Sequence, residues 1–179
     1  MDYIKLSKAM SYALRHAPWE YELELDEYGW VSIEQLLYAF REEKKWYELD
    51  IKDIIYVVDN CDKKRFETDG KRIRALYGHS IPQKIIKESM QPPDILYHGT
   101  ARRFLTMIME KGLIPKGRQY VHLAVDKDMA LQVGKRRDSE PDLLVINARK
   151  AWNEGVKFYK GNERVWLADF IEPIYIEIE

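Results

Sequence analysis

The chain has 179 residues, with 29 basic against 30 acidic side chains, a net charge of −1 and one cysteine, Cys61. It can form no intramolecular disulfide, holds no Cys/His set at zinc spacing, and has no run approaching ~18 apolar residues. The N-terminal MDYIKLSKAM lacks the apolar core of a signal peptide, so a cytoplasmic, metal-independent monomer is expected, kept off membranes. With 46% apolar residues, one large domain or two small lobes can each bury a core. Balanced net charge leaves nucleic-acid binding open, because a local basic patch is enough for it.

In chain order, Leu6, Met10, Ala13, Leu14 and Ala17 recur at helical spacing over residues 2–17, and Pro18 ends the run. Leu23 and Leu25 alternate with acids ahead of a DEYG turn and Trp30-Val31, which predicts a small hairpin. Ser32 is placed to cap a helix with Leu36, Leu37 and Phe40 inward. Asp50 is placed to cap another, with Ile54, Ile55 and Val58 inward. RFETDGKRIRALY then reads as a β-hairpin turning at Asp69-Gly70, with φ > 0 at both central positions. Helix, short strand, helix, helix, hairpin is the order of a winged-helix domain, a fold that by itself proves no function.

Pro92-Pro93 favours an extended connector, and the lobe boundary is placed at residue 91, giving lobes 1–91 and 92–179. The second lobe reads as a strand at 95–98, a helix at 101–111 closed by Gly112, and a strand at 121–125. A helix capped by Asp126 follows, then a buried strand at 143–147 and short strands near 157–159, 164–167 and 174–178. The fold class expected is α+β.

Four short clusters carry chemistry. Leu14-Arg15-His16 ends the first helix. Its cations either offset the helix dipole or form an anion clamp, with arginine as a bidentate phosphate ligand. The hairpin carries Lys63, Lys64, Arg65, Lys71, Arg72 and Arg74, followed by His79 and Ser80. Alternate residues share a strand face, so Arg72 and Arg74 can present a basic stripe to a phosphate backbone, or the run is simply a solvated hairpin. In LYHGT, His98 is either a satisfied core histidine or a ligand. Gly99 after it lets a ligand approach the backbone, whose N–H and C=O can pair with a planar amide. In GLIPKGRQYVHLAVD, Arg118 stands in a loop ahead of His122 on a strand.

LSKAMSYALRH, KKRF, RIRALYGHS, LYHGT, GLIPKGRQYVHLAVD and NERVWLADFIEPIYI together resemble, in order from Leu6 to Ile176, the RNA 2′-phosphotransferase family. The resemblance implies an N-terminal winged-helix RNA lobe and a C-terminal lobe of the ADP-ribosyltransferase fold, with NAD⁺ consumed as co-substrate. It also implies transfer of an internal RNA 2′-phosphate, as in tRNA splicing, through an ADP-ribosylated RNA 2′-phosphate. The products are 2′-OH RNA, nicotinamide and ADP-ribose 1″,2″-cyclic phosphate. On this resemblance Arg15, His16, Arg65 and Arg118 are the catalytic set. His98, Gly99, Thr100, His122, Leu123 and Val165 are the NAD⁺ positions, and Arg72, Arg74, His79 and Ser80 belong to the RNA face. Val165 stands where many other ADP-ribosyltransferases keep a glutamate, and Ala124 where the family often has serine. Lacking that carboxylate makes physical sense, because an anionic nucleophile needs no general base and would be repelled by one. Two other classes compete: a protein mono-ADP-ribosyltransferase, which Val165 argues against, and a winged-helix regulator that senses nucleotide, which has no need of a paired Arg15-His16.

Overall fold

A computed structural model describes all residues, 1–179. The fold is mixed α and β, with six α-helices and two antiparallel sheets. The chain divides into two compact units, Met1–Ile86 and Lys87–Glu179. Pro92-Pro93, taken from the sequence as the connector, therefore lies within the second unit. No helix is long and apolar enough to cross a membrane.

In the first unit, α1 (Tyr3–Arg15) starts on Asp2, whose carboxylate accepts from the Lys5 N–H, and closes at His16. Its apolar face, Leu6, Met10, Ala13 and Leu14, is fully buried. The chain leaves the helix before Pro18, which opens a 3₁₀ turn, so the helix is shorter than its apolar run. β1 (Val31–Ser32) is followed by α2 (Ile33–Arg41), capped by Ser32 as expected. α3 (Ile51–Asn60) begins with a reciprocal cap between Asp50 and Asp53. Val57 joins Ile54 and Val58 in the core, while Ile55 is only partly buried.

Leu23 and Leu25 form no strand. The Asp26 carboxylate accepts from the N–H groups of Tyr28 and Trp30 (both 2.9 Å), tying residues 26–30 into a local turn. β1 pairs instead with β3 (Arg72–Ala75), which also pairs with β2 (Phe66–Thr68), in the order β1-β3-β2. Alternation alone could not tell a local partner from one forty residues away. The hairpin turn is also displaced by one residue. Gly70 has φ +94° and Asp69 does not have positive φ, so Gly70-Lys71 is the turn's centre. Asp69 accepts from the N–H groups of Lys71 and Arg72 and from the Arg72 guanidinium. These donors hold its carboxyl at about 2.

The second unit is a six-stranded sheet in the order β7-β8-β5-β4-β6-β9, made of β4 (Leu96–Thr100), β5 (Val121–Ala124), β6 (Asp142–Ile146), β7 (Phe158–Lys160), β8 (Val165–Ala168) and β9 (Ile176–Ile178). α4 (Leu105–Lys111) ends at Gly112, and α5 (Lys127–Gly134) is capped by Asp126. α6 (Ala148–Asn153), capped by Asn147, did not show in the sequence, where six residues make fewer than two turns and leave no repeating apolar pattern. Within α4 only Ile108 is buried. Phe104, Leu105 and Met109 are half-covered.

Candidate functional site

Two sets of site residues form, one in each unit. In the first, Arg15 lies at the end of α1 with its guanidinium 5.0 Å from the centre of the Tyr77 ring. Gly78 gives it room, since a β-carbon there would come within 3.3 Å of Nε. Beside it His16 Nδ1 is 2.7 Å from Ser80 Oγ, and the Ser80 N–H donates to the Arg15 carbonyl (2.9 Å). The YGHS segment therefore sets the orientation of both Arg15 and His16, a role its histidine and serine did not suggest. His79 itself is buried, 3.4 Å from where a Gly29 β-carbon would lie, and packs inward. His16 and Arg65 border one groove of about 550 Å³ that runs between α1 and α3.

The hairpin cations divide into two kinds. Arg74 bonds Glu67 and the Tyr28 carbonyl, and its guanidinium lies 4.5 Å over the Trp30 ring. Arg72 bonds Asp69, approaches Asp26 at 3.7 Å and covers the same ring at 4.9 Å. Both are thus tied into the hairpin. Arg65 sits just before β2, half-buried on the groove, and its guanidinium makes no ion pair.

In the second unit the decisive feature is a split in the sheet. β4 meets β6 at five residue pairs and β5 meets β8 at four, but β4 meets β5 only at Tyr97–Ala124. Beyond Tyr97 the two strands part. The register tells which way the backbone faces there. The Leu143 carbonyl accepts from the Glu179 N–H (3.0 Å), so its polar groups point away from β4. Gly99, opposite Leu143, is then the non-hydrogen-bonded member of the antiparallel alternation, and its N–H and C=O point towards the split. The expectation that Gly99 exists to admit a ligand needs correction, because its missing side chain serves α5. A β-carbon on Gly99 would lie 1.9 Å from the Ala130 carbonyl oxygen.

Around the split lies a cavity of about 240 Å³, bordered by His98, Gly99, Thr100, Arg118, Tyr120 and His122 among others. His98 Nδ1 is 2.8 Å from the His122 carbonyl. A carbonyl only accepts, so Nδ1 carries the proton and a neutral ring keeps Nε2 as an acceptor. Burial is the main cause holding His98 below the ordinary imidazole pKa. The Lys116 charge adds to it, and the bond to His122 opposes it. Arg118 Nη1 meets His122 Nδ1 at 2.5 Å. The same Nη1 lies 3.4 Å from His122 Nε2, so the guanidinium rests against the imidazole ring as a whole. Leu123 and Val165 stand apart from these groups. The Leu123 side chain is buried in the core, and Val165 is buried on β8 opposite Ala124.

The relatives of the chain give this arrangement its class, a transferase. A protein of Acetivibrio thermocellus named "Probable RNA 2′-phosphotransferase" is 60% identical over 179 residues, covering 100% of this chain and 98% of that one. One of the same name from Bacillus thuringiensis subsp. konkukian is 56% identical over 98% of this chain and 95% of its own. One from Pyrococcus horikoshii is 42% identical over 93% of each. The model of the family described as "RNA 2′-phosphotransferase, Tpt1 / KptA family" matches residues 2–170, and the chain belongs to that family.

Proposed function

We propose that the protein removes an internal RNA 2′-phosphate by transferring it to NAD⁺. The observation carrying this reading is the unpaired edge of β4. A carboxamide needs one acceptor and one donor side by side, and the Gly99 N–H and C=O face the split together, beside neutral His98 and the Arg118–His122 pair. The second unit is accordingly read as an ADP-ribosyltransferase lobe, and the first, with its three-stranded hairpin sheet behind three helices, as a winged-helix RNA lobe.

NAD⁺ supplies an electrophilic anomeric carbon bearing a good leaving group. The 2′-phosphate oxygen bonds to that carbon as the bond to nicotinamide breaks. A ribose hydroxyl then attacks the phosphorus and the bond to the RNA 2′-oxygen breaks. The hydroxyl's proton ends on that oxygen, leaving 2′-OH RNA and the 1″,2″-cyclic phosphate of ADP-ribose. Arg15, His16 and Arg65 hold the dianion, and Arg15 is fixed for that role by Tyr77 and Gly78. Arg118 stabilises the charge that develops on phosphorus in the second step. His98, Thr100 and His122 line the nicotinamide ribose seat, which Val165 keeps free of a carboxylate, while the Leu123 backbone faces Trp166 on β8, away from the split. We assign Arg72 and Arg74 to stiffening the hairpin, and Ser80 to orienting His16. Incubation with 2′-phosphorylated RNA tests the reading. Nicotinamide should be released only when both RNA and NAD⁺ are present, one for each phosphate removed. Dephosphorylation without NAD⁺ overturns it.

A further inference from the structure

We infer that the groove between α1 and α3 seats the single-stranded RNA flanking the 2′-phosphate, stacking a base on Tyr56 and holding backbone phosphates with Lys8 and Lys63. The inference rests on the proposed reading that His16 and Arg65 grip the 2′-phosphate, because both border this groove.

The groove's floor is one stripe of α1. Ile4, Lys8 and Tyr12 recur every four residues and are exposed, opposite the buried Leu6, Met10 and Ala13, and the stripe runs to His16 at the helix end. The facing wall comes from α3 and the segment after it, with Tyr56 and Lys63. Tyr56 stacks on Tyr3 with ring centres 4.1 Å apart, yet stays 45% exposed, so its other face is open. A rigid aromatic platform with one open face suits a base of any identity. Lys8 and Lys63 are exposed and, unlike Lys5 and Lys45, make no ion pair. Two uncommitted cations and an open aromatic face, in a trough leading to the phosphate grip, match a polyanion that alternates phosphates with flat bases.

The test compares an oligoribonucleotide carrying an internal 2′-phosphate with a nucleoside 2′-phosphate, which lacks the flanks. Affinity is read by fluorescence anisotropy and by competition, so it requires no turnover. Tyr56→Ala should weaken the oligonucleotide about tenfold, the scale of one lost base–aromatic stack. Tyr56→Phe should leave it unchanged, and neither variant should alter the nucleoside 2′-phosphate. Lys8→Gln and Lys63→Gln should each flatten the dependence of log affinity on log salt by about 0.7, the single-strand value per phosphate. These two substitutions are at exposed positions and leave the fold intact. Unchanged oligonucleotide affinity in all the variants overturns the inference, as does an equal loss on both ligands. If the flank effects appear while the wild type consumes no NAD⁺, the groove stands and the proposed reaction falls.

Discussion

The two units build their candidate sites from different material. The first holds its candidate phosphate grip with side chains: Arg15 resting on Tyr77 and Gly78, His16 tied to Ser80, and Arg65 on the edge of a groove. The second forms its candidate site mainly with backbone, by letting β4 and β5 part after a single residue pair. Cations on a helix end suit a compact charged group, while an open strand edge suits a planar amide. The contrast also implies different tolerance to substitution. A side-chain grip loses function when a guanidinium is removed, whereas a backbone site loses it when the packing behind the strand is disturbed.

Gly99→Ala should have the largest effect, because its methyl group overlaps the Ala130 carbonyl of α5. A loss of about 3 kcal/mol is expected by thermal or urea denaturation. Stability within error of wild type would mean that α5 can shift freely and that the split is not rigidly braced.

Arg118→Ala should come next. On the proposed reaction, the first step should keep its nucleophile in place through Arg15, His16 and Arg65, while the second should lose its charge partner and slow roughly 10²–10³-fold. RNA bearing ADP-ribose on its 2′-phosphate should then build up as a slower band on a gel of end-labelled substrate. Unmodified RNA with NAD⁺ intact would move Arg118 to the first step or to NAD⁺ binding.

Arg65 and Arg72 sharpen the contrast within the first unit. Arg65→Ala should cost about 10²-fold in turnover, and Arg65→Lys should only partly restore it, because a point charge does not replace a bidentate fork. Arg72→Ala should cost less than about threefold, its guanidinium being already engaged with Asp69 and Asp26, in an exposed setting where such pairs stabilise little. A loss at Arg72 matching that at Arg65 would put the hairpin on the RNA.

The smallest effect concerns acid. His98 is half-buried and desolvation holds its pKa below the ordinary 6.5, so the unfolded chain binds the proton more readily than the folded one. Stability is therefore fully present above about pH 6.5 and falls as pH drops below it. His98→Gln should flatten that part of the stability–pH curve, and an unchanged slope would assign it to another group.

The first-unit cluster was legible because its residues stand in short runs whose chemistry survives without coordinates: Arg15-His16 at a helix end, Arg65 beside a strand. Ser32, Asp50 and Asp126 announced their helices because a cap is a local hydrogen bond. What escaped depends on pairing over long distances. Leu23 and Leu25 alternate as a strand does, yet Asp26 binds its own turn and β1 pairs with β3. The cationic stripe of Arg72 and Arg74 looked available until Glu67, Asp69 and Trp30 closed on it. The direction of the Gly99 backbone follows only from Leu143 bonding Glu179, a relation that no sequence window contains.

The central claim is that the two units hold different reactants, and separate titrations of Arg65→Ala with 2′-phosphorylated RNA and with NAD⁺ test it most directly. RNA affinity should fall at least about tenfold, as expected for losing a charge-assisted bidentate contact, while NAD⁺ affinity stays within about twofold of wild type. A parallel loss of both affinities, or a loss of NAD⁺ affinity alone, would contradict the account.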